Sequence, residues 1–222
     1  MSAVTAHDTD HAHEDEHHGP ENPWPVQLRA NRLGLWLFCF SEVFLFGALL
    51  VARFALWTDG SGGITRPELS QEVGLFTTVI LLISSYFVFR GETAMGHGDR
   101  ETFLKSYMTA IIMGTLFFIG VVFLEWNVFG LELELFGIEI FGHLKPTDGV
   151  FGGVFFAMTG MHTIHVVTGL ILLLIVWNNG RKGHFDAEKH WGVEAAAIYW
   201  HFVDVVWVFF YPALYLMGHV AH

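Results

Sequence analysis

Residues 194–217 form the stretch that most constrains how this chain can fold. They are apolar for long enough to cross a lipid bilayer, which takes about 20 residues in a helix, yet they include His201 and Asp204. An ionisable side chain in the middle of a bilayer is costly unless it faces protein or water. Because residues at this spacing lie on one face of a helix, we expect that face to meet partner helices.

Other apolar segments of the chain are also long enough to span a membrane. The predicted helices cover about 31–57, 72–90, 103–126, 150–177 and 194–217. Turn and breaker residues fill the connections, such as the Asp59–Gly63 run and Asn178-Asn179-Gly180. The sequence therefore predicts an all-α fold, an integral membrane bundle of five transmembrane helices.

The amino-terminal part of the chain differs in composition from the rest. Residues 1–28 are rich in histidine and acidic side chains and have almost nothing apolar to bury, which predicts a disordered tail. Histidine-rich acidic tracts can hold metal weakly, but a solvated tail is the favoured interpretation. The remainder, 29–222, is predicted to be the transmembrane domain.

Basic residues indicate how the bundle is oriented. With the amino terminus in the cytoplasm, only Arg53, Arg66 and Lys145 would lie outside, and the other Lys and Arg residues would lie inside. The positive-inside bias favours this choice, and an odd number of spans then places the carboxyl terminus outside. The formal charge of −11 comes largely from the tail and loops. No basic stripe suits a phosphate backbone, so nucleic acid is excluded as a partner.

The connection at 127–149 has a pattern of its own. Apolar residues alternate there with Glu132, Glu134 and Glu139. A period near two predicts an amphipathic hairpin or interfacial segment on the outer side rather than a sixth helix. A docking surface for a neighbouring subunit and a simple loop remain alternatives.

Five ionisable side chains fall inside three of the predicted helices. They are Glu42, His162, His165, His201 and Asp204. At a rise of about 1.5 Å per residue, the two carboxyl groups lie about 15 Å above the inner face and the histidines about 8–12 Å above it. All five therefore share the inner half of the membrane.

Two interpretations compete for this cluster. In the first it is a structural network in which a carboxylate accepts a hydrogen bond from a histidine. In the second, His162 or His165 together with His201 binds a haem iron or copper, as in a haem-binding membrane cytochrome. Two histidines one turn apart on the same helix are poorly placed for one porphyrin, which favours the network. A free-standing ion carrier is a third alternative, without the inverted repeats or broken helices typical of that class.

Three stretches resemble subunit III of the haem–copper respiratory oxidases in its five-helix form. They are LGLWLFCFSEVFLFG at 33–47, FFAMTGMHTIHVVTGLILL at 155–173 and HWGVEAAAIYWHFVDVVWVFFYPALYL at 190–216. The resemblance extends over essentially 31–217. One departure lies in the motif usually written TGFHGxHV, where Met161 and Thr163 replace an aromatic residue and a glycine.

The resemblance implies an accessory subunit of a cytochrome c oxidase, the complex that passes electrons to dioxygen and pumps protons. It implies direct packing on subunit I, contacts with other respiratory-complex subunits and bound phospholipid. Haem and copper would lie in partner subunits, with no catalytic, cofactor-binding or metal-ligating residue in this chain. Carried over by position, the five ionisable residues match the family's buried polar positions, which are linked to lipid binding, stability and proton uptake.

The family also leaves alternatives open. Its longer members carry seven helices, with two extra ones before the stretch that matches 33–47, so their lipid-filled cleft is not assumed here. Five-helix members occur in quinol oxidases and in a related accessory protein of nitric-oxide reductase. The expected location is the bacterial cytoplasmic membrane, with multiple spans.

Overall fold

A computed structural model of the chain describes residues 24–56, 71–126, 144–147 and 149–217. It also describes the backbone of four two-residue strands at 65–66, 134–135, 138–139 and 219–220. The predicted disordered tail lies outside the described residues up to residue 23. The described part is otherwise almost entirely helical.

Long helices make up the described structure. They are α1 (Trp24–Ala55), α2 (Gln71–Gly96), α3 (Arg100–Ile119), α4 (Gly149–Lys182) and α5 (Trp191–Tyr211). α3 and α5 continue as π-helical segments over Gly120–Glu125 and Pro212–Leu216. In the described residues, 5 helices are long and apolar enough to cross a membrane. The prediction of an all-α bundle of five transmembrane helices is thereby confirmed.

The helices begin and end outside some of the predicted limits. α1 starts at Trp24, so residues 24–28, which the sequence assigned to the tail, are helical. Pro25 does not prevent this, because proline fits the first turn of a helix, where its missing N–H would have no partner. The helix therefore extends the transmembrane domain toward the amino terminus.

α4 runs through Asn178-Asn179-Gly180, which the sequence predicted to be a connection. It ends at Gly183, whose φ of +81° suits a glycine cap. The Gly183 N–H donates to the Gly180 carbonyl at 3.0 Å and the His184 N–H to the Asn179 carbonyl at 3.1 Å. Gly180 instead allows close packing, since a Cβ there would collide with the ring of Phe103.

A short reversal joins α2 to α3. Gly98 adopts a φ of +77°, and the Asp99 carboxylate then caps α3 by accepting from the Thr102 N–H at 3.0 Å. Hydrogen bonding to Thr102 holds the pKa of Asp99 below its ordinary value. The tight turn places α2 and α3 side by side as antiparallel neighbours.

The helices are buried to very different degrees. In the most apolar stretch of α5, 56% of the residues are buried within the chain, whereas in that of α1 only 11% are. α5 packs against α1, α2 and α4, while α1 contacts α4 and α5. α5 is thus the central helix of the described bundle and α1 a peripheral one.

Trp200 of α5 lies where several helices meet. A Cβ added at Gly114 of α3 or at Gly169 of α4 would come within 2.6 or 2.7 Å of its ring carbons. Its indole N–H also donates to the Ser84 hydroxyl of α2 at 3.0 Å. The side chain is fully buried. The two glycines therefore provide the space in which one indole joins four helices.

The short strands pair outside the bundle. β1 (Thr65–Arg66) pairs in parallel with β4 (His219–Val220), which joins the connection after α1 to the end of the chain. β2 (Glu134–Leu135) pairs antiparallel with β3 (Ile138–Glu139). The second pairing agrees with the hairpin predicted within 127–149.

Candidate functional site in the membrane interior

The carboxyl group of Glu42 on α1 meets the imidazole of His165 on α4. Glu42 Oε2 lies 3.1 Å from His165 Nε2, and His165 Nδ1 lies 2.9 Å from the Met161 carbonyl oxygen. Because a carbonyl only accepts, Nδ1 carries a proton, and the second bond needs one more proton on either the imidazole or the carboxyl. The pair therefore shares one proton. It is electrically neutral as a unit whether it consists of an imidazolium and a carboxylate or of a neutral imidazole and a carboxylic acid.

Aromatic side chains enclose this pair. The Phe46 ring lies edge-on to His165, with ring centroids 4.8 Å apart. The Tyr199 hydroxyl of α5 donates to the His165 carbonyl at 3.4 Å. His165 and Glu42 keep 12% and 18% of their side-chain surface exposed. The shared proton is thus held at the edge of the packed core rather than in its centre.

His201 and Asp204 lie around Ser85 of α2. The Ser85 hydroxyl is 2.6 Å from His201 Nδ1 and also lies next to Asp204. Asp204 is buried, and within the described residues neither of its oxygens accepts a hydrogen bond of ordinary geometry. Ser85 is therefore the group that links the two polar residues of α5 to α2.

His162 is packed like an aromatic residue. Its ring stacks on Trp207 with centroids 4.7 Å apart and an interplanar angle of 29°. Phe117 meets it edge-on at 5.9 Å. Both ring nitrogens are buried and have no hydrogen-bond partner among the described residues. His162 is thus apart from the two polar groups described above.

The structure therefore places the predicted site residues in three surroundings. Glu42 bonds directly to His165, His201 and Asp204 surround Ser85, and His162 lies between aromatic rings. In the described part of the chain, no three His, Cys, Asp or Glu side chains converge to hold one metal ion. Because both nitrogens of His165 are engaged, a haem ligand there would require one of those bonds to break.

A row of hydroxyl groups on α2 was not predicted. Thr78 accepts a hydrogen bond from the Trp207 indole at 2.9 Å, and Ser84 accepts one from the Trp200 indole at 3.0 Å. The Ser85 hydroxyl is hydrogen-bonded to His201 Nδ1 at 2.6 Å. Thr and Ser within an apolar segment are usually satisfied by their own helix backbone, so the sequence pattern alone did not mark these residues as partners of another helix. Thr78 and Ser85 are seven residues, or about two helical turns, apart, and this spacing was the available sign that they share one face.

A buried carboxyl–phenol pair was also missed. The Tyr215 hydroxyl donates to Glu125 Oε2, and both side chains are buried. Glu125 Oε1 has no hydrogen-bond partner within the described residues. Each partner belongs to one of the π-helical segments. Glu125 ends an apolar segment, where an acidic residue normally reaches the membrane surface, so the sequence pattern did not distinguish it.

An ion pair aligns α1 with α5. Arg32 Nη2 lies 2.6 Å from Glu194 Oε2, and His190 Nε2 lies 3.5 Å from the other oxygen of that carboxylate. Glu42 lies ten residues after Arg32 on α1, and Asp204 lies ten residues after Glu194 on α5. Ten residues correspond to about 15 Å along a helix. The ion pair therefore brings the two buried carboxyl groups to a similar depth.

The chain resembles known proteins over almost its whole length. The family model described as Cytochrome c oxidase subunit III matches residues 2–219. A cytochrome c oxidase subunit 3 from Thermostichus vulcanus is 36% identical over 190 residues, covering 83% of this chain and 86% of that protein.

Two further relatives carry the same name. The protein from Synechocystis sp. is 32% identical over 204 residues, covering 90% of this chain and 78% of its own length. The protein from Gadus morhua is 36% identical over 211 residues, covering 91% and 73%. With five helices able to span a membrane, these similarities show that the chain belongs to the cytochrome c oxidase subunit III family and is a multi-pass subunit III of a haem–copper oxidase.

Proposed function

We propose that the chain is a non-catalytic subunit that packs directly on subunit I of a bacterial cytochrome c oxidase, in the cytoplasmic membrane, with its amino terminus inside. The relatives' names support cytochrome c as the electron donor. The distribution of basic residues supports the orientation. Haem and copper belong to the partner subunits in this proposal, and this chain contributes stability, bound phospholipid and support for proton uptake.

The contact between Glu42 and His165 is the observation that carries the proton part of this role. The pair holds one proton at 3.1 Å between two groups of different chemistry, so the proton can move between them without changing the charge of the unit. The other three residues of the predicted set, His162, His201 and Asp204, are proposed to support the same region by joining α4, α5 and α2.

An apolar groove next to the pair supports the lipid part of the role. It lies between α1 and α5 and is lined by aliphatic and aromatic side chains and Gly47. Phe46 lines the groove and also contacts His165. An acyl chain of a phospholipid fits such a surface, and it would lie beside the shared proton.

Purification through this chain in a mild detergent tests the proposed function. We expect oxidase subunits with haem to co-purify, a reduced-minus-oxidised spectrum to show that haem, and the haem to leave with those subunits when they are stripped away. Turnover of the complex should be supported by cytochrome c. Turnover with quinol alone would point to the quinol oxidase alternative, and haem retained by the isolated chain would contradict the accessory role.

Replacing Glu42 with glutamine tests the shared proton. The amide can still bond to His165, but it cannot exchange a proton with it. We expect a several-fold loss of sustained turnover or of bound phospholipid in the Glu42→Gln oxidase, measured by oxygen consumption over repeated turnover and by lipid analysis of the purified complex.

The neighbouring Ser41 provides a matched control. It is exposed, and its hydroxyl donates to the carbonyl of Phe38 in its own helix, so Ser41→Ala removes a polar group without touching His165. That variant should behave as the parent complex does. Normal turnover, lipid content and lifetime in Glu42→Gln would rule out the proposed role of the pair.

A further inference from the structure

Three exposed Ser and Thr hydroxyl groups along the bundle are satisfied by their own helix. Ser41, Thr93 and Thr168 each donate to a carbonyl of the same helix at 2.7, 3.0 and 2.9 Å. Lipid tails offer no hydrogen bonds, and a polar group that is satisfied within its own helix can face them. These hydroxyl groups therefore need no hydrogen-bond partner from the lipid or protein that surrounds the bundle.

His201 is different. Its Nδ1 bonds to Ser85 at 2.6 Å, but its Nε2 has no hydrogen-bond partner among the described residues. The side chain is half-buried, and Nε2 is not enclosed in the core as the ring nitrogens of His162 are. α5 begins at Trp191, so His201 lies about 15 Å along it. At that depth lipid cannot satisfy an imidazole nitrogen.

The surroundings of His201 are otherwise apolar and open. Leu82 and Phe89, one turn to either side of Ser85 on α2, are exposed, as is Val208 two turns beyond His201 on α5. We call the surface formed by Leu82, Ser85, Phe89, His201 and Val208 the His201 face. It presents Nε2 of His201, unpaired among the described residues, at mid-depth in a largely apolar surface, beside the exposed side chain of Tyr86.

We infer that the His201 face is the docking surface for a transmembrane helix of a partner oxidase subunit, which places a hydrogen-bonding side chain against His201 Nε2. The inference rests on the proposed function, and it names the face through which that function is exerted. The Glu42–His165 pair, another polar group near this depth, is already internally bonded. The exposed surface of α1 around Phe40 and Phe44 is apolar and suits lipid.

Photo-crosslinking in the intact oxidase complex tests this assignment. p-Benzoylphenylalanine is placed at Leu82 on the His201 face or, as a control, at Ile164 on α4. Both are aliphatic and exposed, at 46% and 61%. We expect illumination to join the Leu82 variant to another oxidase subunit and the Ile164 variant to lipid, as identified by mass spectrometry. Lipid adducts alone at Leu82, or equal crosslinking to protein from both positions, would overturn the assignment.

Substitution of His201 provides an independent readout. In His201→Leu we expect several-fold less partner subunit to stay bound after detergent washing, whereas His201→Gln, which keeps hydrogen-bonding atoms, should retain more of it. Equal retention in both variants and the parent would contradict the predicted inter-subunit bond. If His201→Leu fails to fold, the crosslinking experiment still tests the assignment, because it is done with His201 intact. If no oxidase subunit co-purifies with the unmodified chain, the proposed function itself fails, which is a separate outcome.

Discussion

Replacing Trp200 with alanine is expected to lower the free energy of unfolding by about 3 kcal/mol, near the low end for a buried aromatic residue. The indole fills the space left by Gly114 and Gly169, so its removal leaves a cavity between α3, α4 and α5. It also leaves the Ser84 hydroxyl without the indole N–H that it accepts. The loss should be measured by reversible unfolding in detergent micelles or bicelles.

The low end of the range has a physical reason. When a membrane protein unfolds, its apolar side chains move into surroundings that are about as apolar as the protein core. The free energy of that transfer is therefore small, and the loss of packing contacts dominates. Trp200 makes such contacts on all sides because no part of it is exposed.

Trp36 is the matched control. It is also a tryptophan inside a spanning helix, but 60% of it is exposed on α1. Trp36→Ala should change the free energy of unfolding by no more than about 0.5 kcal/mol. If Trp36→Ala is as destabilising as Trp200→Ala, the loss reflects aromatic content of the membrane region rather than packing at the helix junction.

Segment length and hydropathy were enough to predict the five spans, because a bilayer imposes a minimum length on any helix that crosses it. They were less able to predict where a helix stops. Asn178-Asn179-Gly180 has the composition of a turn, yet α4 continues through it because Gly180 packs against Phe103. The turn itself forms at Gly183, where the backbone needs a positive φ. Only tertiary contacts distinguish these two uses of glycine.

Depth along a helix could be estimated from the sequence, but rotation about the helix axis could not. Counting residues placed Glu42 and His165 in the same half of the membrane, and the structure brings them to 3.1 Å. The same counting grouped His162 with them, although its ring faces Trp207 and Phe117. His162 and His165 are three residues apart, so their side chains point about 60° away from each other. That difference is enough for the two rings to meet different partners.

Removing the Tyr215 hydroxyl is expected to destabilise the carboxyl-terminal ends of α3 and α5. Tyr215→Phe keeps the ring that packs against Gly74 and stacks on Tyr211 at 5.1 Å. It removes the hydrogen-bond donor that the structure gives to Glu125. A buried carboxyl group without that donor should lower the free energy of unfolding by about 1–3 kcal/mol. Hydrogen exchange should rise first in the π-helical segments, since each contains one member of the pair.

A second variant and a control separate the bond from other effects of the same substitutions. Glu125→Gln keeps an oxygen that can accept from Tyr215, so it should be less destabilising than Tyr215→Phe. In the double variant the losses in stability should not be additive, because both changes act on one interaction. Tyr86→Phe removes a hydroxyl from a side chain that is 59% exposed, and it should change stability little. If Tyr215→Phe matches Tyr86→Phe, or if the losses in the double variant simply sum, Glu125 and Tyr215 are neighbours without an energetic link. A non-additive result would instead show that this pair joins the end of α3 to the end of α5, on the side of the bundle opposite the Arg32–Glu194 ion pair.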